Sequence, residues 1–242
     1  MNHHLDNERN SGIECLQNSA MTAMCSTLRQ RLRDTAVRAI LDAAERVMIR
    51  KGYEAATMQE IAAGAGCAAG TLYLYFRNKE ILFQAVAGRH LAAMHAAGRA
   101  ALAGRDEPLE AIRQACAAFM RYINGHRAFF RLFLQAMPMR IGLLRRRVDR
   151  SILRDHEEYR RAERRVIRAA QRRGQVRRDF SVRQIQDFME AVGFSLVEQF
   201  VFASRPPSIQ KQWKMLWEFI AHGIGVQQKP ALAHNVAGGQ TP

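Results

Sequence analysis

A chain of 242 residues with 48% hydrophobic content is long enough for two domains, and a formal net charge of +15 points to an anionic partner, of which nucleic acid is the commonest for a soluble chain. No segment reaches the roughly 18 uncharged apolar residues of a membrane span and no apolar run of signal-peptide length opens the chain, so a cytoplasmic protein without a membrane role is expected. The four cysteines, Cys15, Cys25, Cys67 and Cys116, form no Cys-x-x-Cys pair and have no histidine at zinc-finger spacing; they suit a reducing compartment, no metal site is expected, and Cys116 is the better candidate for a redox-sensing thiol.

Residues 1–28 are polar, mixed in charge and without sustained periodicity, which predicts a disordered leader. From Asp34 onward Val37, Ile40, Leu41, Ala44, Val47 and Met48 recur at three- and four-residue spacing, the face of a helix that Gly52 stops. Thr57 followed by Glu60 makes a capping box, in which two side chains satisfy each other's orphan amides, and opens a second helix that ends near Ala63. Gly64-Ala65-Gly66 turns the chain into a third helix, Ala68 to Tyr75, and two short helices joined by a glycine turn form a helix-turn-helix. Asn78 caps a long fourth helix that runs through Ile81, Leu82, Ala85 and Val86 toward Ala103.

Gly64-x-Gly66-x-x-Ala69 also has the spacing of a dinucleotide-binding fingerprint, which requires a strand entering the loop and an acidic residue about 20 positions on. Thr57 to Ala63 is a capped helix, and no acidic residue at the end of a second strand follows, so no cofactor is expected.

The remainder reads as helices throughout. Leu109 to Gly125 carries Ile112, Cys116, Phe119, Met120 and Ile123, and an aromatic cluster from Phe129 to Leu134 precedes Pro138. Ile141 to Arg173 is long, with Ile141, Leu144, Val148, Ile152, Tyr159, Ala162, Val166 and Ala170 near one stripe, and Gly174 ends it. Asp155 interrupts that stripe; it either pairs with a neighbouring arginine or lines a polar pocket. Val182 to Ala203 and Ile209 to Gly225 are two strongly apolar helices separated by Pro206-Pro207. Their apolar surface exceeds what one domain easily buries, so Val192, Gly193, Leu196, Trp213, Leu216, Trp217 and Ile220 are candidate contacts with a second copy in a four-helix bundle.

Lys51-Gly52-Tyr53, Thr57-Met58-Gln59-Glu60-Ile61-Ala62, Ala65-Gly66-Cys67 and above all Gly70-Thr71-Leu72-Tyr73-Leu74-Tyr75-Phe76-Arg77-Asn78-Lys79-Glu80-Ile81-Leu82 resemble the DNA-binding domain of TetR-type transcriptional regulators. The resemblance covers roughly Asp34 to Val86 and implies an all-α fold: an N-terminal three-helix helix-turn-helix domain over 29–88, a larger helical ligand-binding and dimerisation domain over 89–226, and a flexible tail over 227–242. Carried across residue by residue, it makes Thr57, Gln59, Ala69, Thr71, Tyr73, Leu74, Tyr75 and Lys79 DNA-binding positions, with Tyr73, Tyr75 and Lys79 on phosphates, and leaves Ile61, Leu72 and Phe76 to the core. Ala68 stands where many members carry a hydroxyl, the loss of a cap worth roughly 1 kcal/mol, and Ala69 where many carry a polar or basic residue. Direct readout is thus left to Thr71, Gln59 and methyl contacts to thymine, and specificity leans on DNA shape. Arg29, Arg31 and Arg33 are candidates for an N-terminal arm into a minor groove. The implied ligand domain offers Cys116, Phe119, Met120, Ile123, Phe130, Phe133, Met137, Asp155 and Tyr159 as candidate ligand-binding residues.

Charge is uneven, with ten basic against six acidic residues from Arg29 to His90 and fifteen against five from Arg140 to Arg178; most of the latter should be a solvated face. His156-Glu157 is followed by Arg160 where a zinc protease needs histidine, and neither a catalytic triad nor a phosphate-binding loop is present, so no enzyme is expected. The expected function is a homodimeric TetR-like DNA-binding regulator, a repressor released from a palindromic operator by a small-molecule effector. The alternative is a ligand-independent architectural or division-related DNA-binding protein on the same scaffold.

Overall fold

The computed structural model describes residues 3–104, 106–136, 150–206 and 208–225, with side chains from Thr27 onward except at 150, 151 and 210. Among these residues the fold is all-α: α1 (His3–Lys51), α2 (Met58–Ala65), α3 (Ala69–Tyr75), α4 (Lys79–Leu102), α5 (Pro108–Gly125), α6 (Arg127–Ala136), α7 (Arg150–Arg172), α8 (Val182–Phe202) and α9 (Ile209–Ile224). An isolated antiparallel bridge joins Val176 to Gly225. No helix among the described residues is long and apolar enough to cross a membrane. The chain divides into two units between Arg89 and His90, inside α4.

In the first unit the predicted apolar face of α1 is the core: Ile40, Ala43, Ala44, Val47 and Met48 are buried together with Met58, Ile61 and Ala62 of α2, Leu72 of α3, and Leu82, Phe83 and Val86 of α4. Arg89 ties α4 to α1 through Asp42 at 2.5 Å and Glu45 at 2.6 Å. Gly52, at φ 85°, ends α1. The backbone of α1 is helical from His3, in contrast to the disordered leader expected over 1–28. The segment contains no proline, and a helix already anchored by its packed end extends one hydrogen bond per residue without repeating the cost of nucleation.

The second unit buries Ile112 and Met120 of α5, Ile167 and Ala170 of α7, Ile185 and Met189 of α8, and Leu216, Ile220 and Ile224 of α9 around Val176. A β-carbon on Gly98 of α4 would lie 2.5 Å from the Phe119 ring and 2.8 Å from that of Tyr159, so glycine is what lets α5 and α7 close on this helix. Gly174, at φ 70°, stops α7 where expected, with the Gln175 amide donating to the Ala170 carbonyl at 3.0 Å. Ser181 and Gln184 form a capping box on α8, and Ser208 caps α9. Of the predicted stripe from Ile141 to Arg173, the part up to residue 149 lies outside the described residues, as do Met137, Pro138, Pro207 and the tail from 227.

Candidate nucleic-acid interface

Thr57 caps α2 reciprocally with Glu60: the Glu60 amide donates to Thr57 Oγ1 at 3.3 Å, and the Thr57 amide to Glu60 Oε2 at 3.3 Å. The Lys51 ammonium hydrogen-bonds the Glu60 carboxylate and holds it below the ordinary carboxylate range. At the other end Gly66 adopts φ 72°, ψ 30°, while the Cys67 amide donates to the Ala62 carbonyl at 3.0 Å and the Gly66 amide to that of Ala63 at 3.1 Å. This is a Schellman turn, and its left-handed residue is why glycine stands there. Nothing lies within 4 Å of a β-carbon built on Gly66, so backbone conformation rather than space makes the demand.

The turn delivers α3, which has no side-chain cap at Ala68. Leu72 is its fully buried anchor, with Phe76 just beyond the helix also buried. Leu74, about 200° round the helix from Leu72, is 85% exposed, and Gly70 and Thr71 share its outward side. Tyr73 is 46% exposed, while Ala69 and Tyr75 are half-buried. Gln59 and Thr57 are exposed on the start of α2. Asn78 Oδ1 accepts from the Ile81 amide at 2.8 Å and caps α4 as expected. Lys79 is already engaged within the unit, its Nζ donating to the Glu54 carbonyl at 2.8 Å and lying 4.7 Å from the Tyr53 ring centroid. An ammonium carries three donors, so this engagement orients the group without exhausting it.

Arg29, Arg31 and Arg33 are exposed on helical backbone. Residues four apart share a helix face while those two apart do not, so Arg29 and Arg33 lie together and Arg31 across from them. Any reach toward a minor groove would therefore start from a helix.

The candidate ligand residues of the second unit fall into separate groups. Phe119 and Tyr159 pack with ring centroids 4.9 Å apart, and His95 stacks on Tyr159 at 5.5 Å. Asp155 is paired: Oδ2 is 2.6 Å from His95 Nδ1, and Oδ1 accepts from Arg99 Nη1 at 2.7 Å. Burial pushes the Asp155 carboxyl up, but the hydrogen bonds from His95 and Arg99 outweigh it and hold the group below its ordinary value. Burial draws His95 below its ordinary value despite Asp155. Tyr159 donates to Glu163 Oε1 at 2.9 Å, and Gln186 Nε2 donates to Glu163 Oε2 at 2.6 Å. Burial raises the Glu163 carboxyl. It also pushes the neighbouring Cys116 thiol up to about 12, which makes Cys116 a poor redox sensor. Phe130 belongs to a second aromatic group, with Phe129 stacked on His90 at 3.8 Å and Phe133 beyond. Ile123 is buried on α5, and Met120 lies in the main core.

The sequence reading missed His95, Gly98, Arg99, Glu163 and Gln186. Their common signal is a polar or minimal residue inside an apolar periodic stretch, as Gln186 follows Ile185.

Of the candidate dimer contacts, Leu216 and Ile220 are buried in the unit's own core, and Val192, Leu196, Trp213 and Trp217 pack against it; Gly193 is half-buried. The apolar side chains left outward are Phe188 and Phe202 on α8 and Met215 and Phe219 on α9. Both helices are apolar on two sides, so spacing alone does not say which side a protomer keeps for itself.

A family model described as bacterial regulatory proteins, tetR family, matches residues 40–86. The HTH-type transcriptional activator FasR of Mycolicibacterium smegmatis is 34% identical over 96 residues, 40% of this chain and 44% of that protein, so the match spans less than half of this relative's length. Among solved structures, the fatty acid degradation regulator FadR from Bacillus halodurans aligns with a TM-score of 0.66 at 18% identity, over 78% of this chain and 95% of that one. The transcriptional regulator FadR from Bacillus subtilis, in complex with stearoyl-CoA, aligns with a TM-score of 0.65 at 20% identity, over 77% and 98%. At such identities the two structures speak for the shared fold, while the helix-turn-helix carries the sequence match. Residues 40–86 thus carry the helix-turn-helix of the tetR family of bacterial regulatory proteins.

Proposed function

We propose that this TetR-like DNA-binding regulator works as a homodimeric repressor, released from a palindromic operator by a small-molecule effector of the fatty acyl class. The observation that carries the DNA-binding part is the capped, glycine-turned α2–α3 pair with Leu72 inward and Gly70, Thr71 and Leu74 outward. The second of two such helices enters the major groove, and a two-fold dimer presents a pair to half-sites about 34 Å apart. Phe188, Phe202, Met215 and Phe219 form the outward apolar surface that a second copy covers.

The acyl reading rests on the fold shared with FadR of Bacillus subtilis, whose structure holds stearoyl-CoA. Two apolar groups, Phe119 with Tyr159 and Phe130 with Phe129 and Phe133, supply candidate walls. Exposed Arg161, Arg165, Arg168 and Arg172 along α7 supply positive charge for an anionic head group. Release requires the effector to prefer the non-binding conformation by about 5.5 kcal/mol if occupancy is to fall from nearly full to nearly empty. Neither role involves catalysis, and the relatives are regulators rather than enzymes.

Selection from a pool of random duplexes, followed by titration of the selected operator complex with stearoyl-CoA, tests this. A palindrome released by micromolar acyl-CoA is expected; binding without sequence preference overturns the regulator reading, and a complex indifferent to acyl-CoA overturns the effector. An activator is the second reading, favoured by the FasR match, and would show operator binding strengthened by the effector.

A further inference from the structure

The most exposed large side chain of the recognition helix is apolar, and this restricts what it reads. With Leu72 fully buried, Leu74 points away from the unit and is 85% exposed, the most exposed large hydrophobic side chain among the described residues. Its neighbours on that side are Thr71 and Gly70, and a β-carbon added to Gly70 would meet nothing within 4 Å. Gly70 adds no side chain to that side, so Leu74 is its largest group, with the shorter Thr71 hydroxyl beside it.

Leucine neither donates nor accepts, so a base edge beneath it loses water without gaining a hydrogen bond, which disfavours edges that offer polar groups alone. The one apolar group on the major-groove edge of DNA is the C5-methyl of thymine. Resting on the operator-binding reading above, we infer that Leu74 is a specificity-determining residue that recognises a thymine methyl, one in each half-site. The operator therefore carries thymine at a fixed position in both arms, read by contact rather than by shape.

The experiment uses the full chain. Selected duplexes are resynthesised with deoxyuridine for thymine one position at a time, which deletes the methyl and keeps the pairing, and affinities are compared for wild type and Leu74→Ala. A buried methyl is worth about fourfold in affinity, so wild type should lose about fourfold at a single position per half-site and about fifteenfold with both replaced. Leu74→Ala should bind more weakly than wild type and show no penalty at that position. Because the side chain lies outside the core, the variant keeps the fold, checked by its unfolding transition. No uracil penalty at any position, or the same penalty in Leu74→Ala, overturns the inference while leaving operator binding intact. A pool that yields no preferred sequence overturns the regulator reading and this inference with it.

Discussion

Three glycines show how one residue type answers three different demands. Gly66 is required by its left-handed backbone, so Gly66→Ala should destabilise the first unit by about 1–2 kcal/mol in urea unfolding even though the site is roomy. Gly98 is required by space, because a methyl there meets the Phe119 and Tyr159 rings at 2.5 and 2.8 Å; Gly98→Ala should cost about 1–3 kcal/mol through overpacking. Gly70 is required by neither, since it is helical and open. Gly70→Ala should therefore stabilise α3 by about 0.5–1 kcal/mol while weakening operator binding, measured by urea unfolding and fluorescence anisotropy on labelled operator. Opposite signs in the two measurements would assign the glycine to DNA approach; the same sign would assign it to folding.

At the scale of elements, α4 and α7 are joined by His95 and Arg99 on Asp155, with His156 Nδ1 3.2 Å from His95 Nε2. The pH dependence follows from the directions of the shifts. His95 is drawn below its ordinary 6.5, so between that value and its lower folded one the unfolded chain binds more protons, and stability falls as pH drops below about 6.5. Asp155 is held below 3.8, so its contribution persists until more acid conditions. Glu163 is raised above 4.5, favours the folded state at low pH, and loses that contribution as pH rises. Comparing urea midpoints of wild type and His95→Asn at about pH 7.5 and about pH 5.5 isolates the histidine: the wild type should lose more stability on acidification than the variant. The helix boundaries were readable because their signals are local, as with Thr57 and Glu60, Asn78, and Gly174. The partners of Asp155 were not, since His95 and Arg99 stand some sixty residues away and no local pattern couples them. The outward face of α3 followed from Leu72 alone, but the outward face of α8 and α9 did not, because each helix is apolar on two sides.

For the whole molecule, the distinction between Leu216 inside and Phe219 outside yields paired tests. Phe219→Arg should leave the protomer folded, shift sedimentation from dimer to monomer, and reduce palindrome binding to that of a single half-site. Leu216→Ala should instead lower stability by about 2–5 kcal/mol by opening the core. A Phe219→Arg variant that stays dimeric would move the contact to another surface.

The outward apolar surface has a further consequence for dosage. If two chains must meet before either recognition helix is usefully placed, operator occupancy at low concentration rises with the square of the number of copies rather than in proportion to it. In that range, where most chains are single, halving the supply of this chain would cut the dimer about fourfold, as mass action requires. Growth and division, which dilute every protein, would thereby loosen control of the target with no effector present.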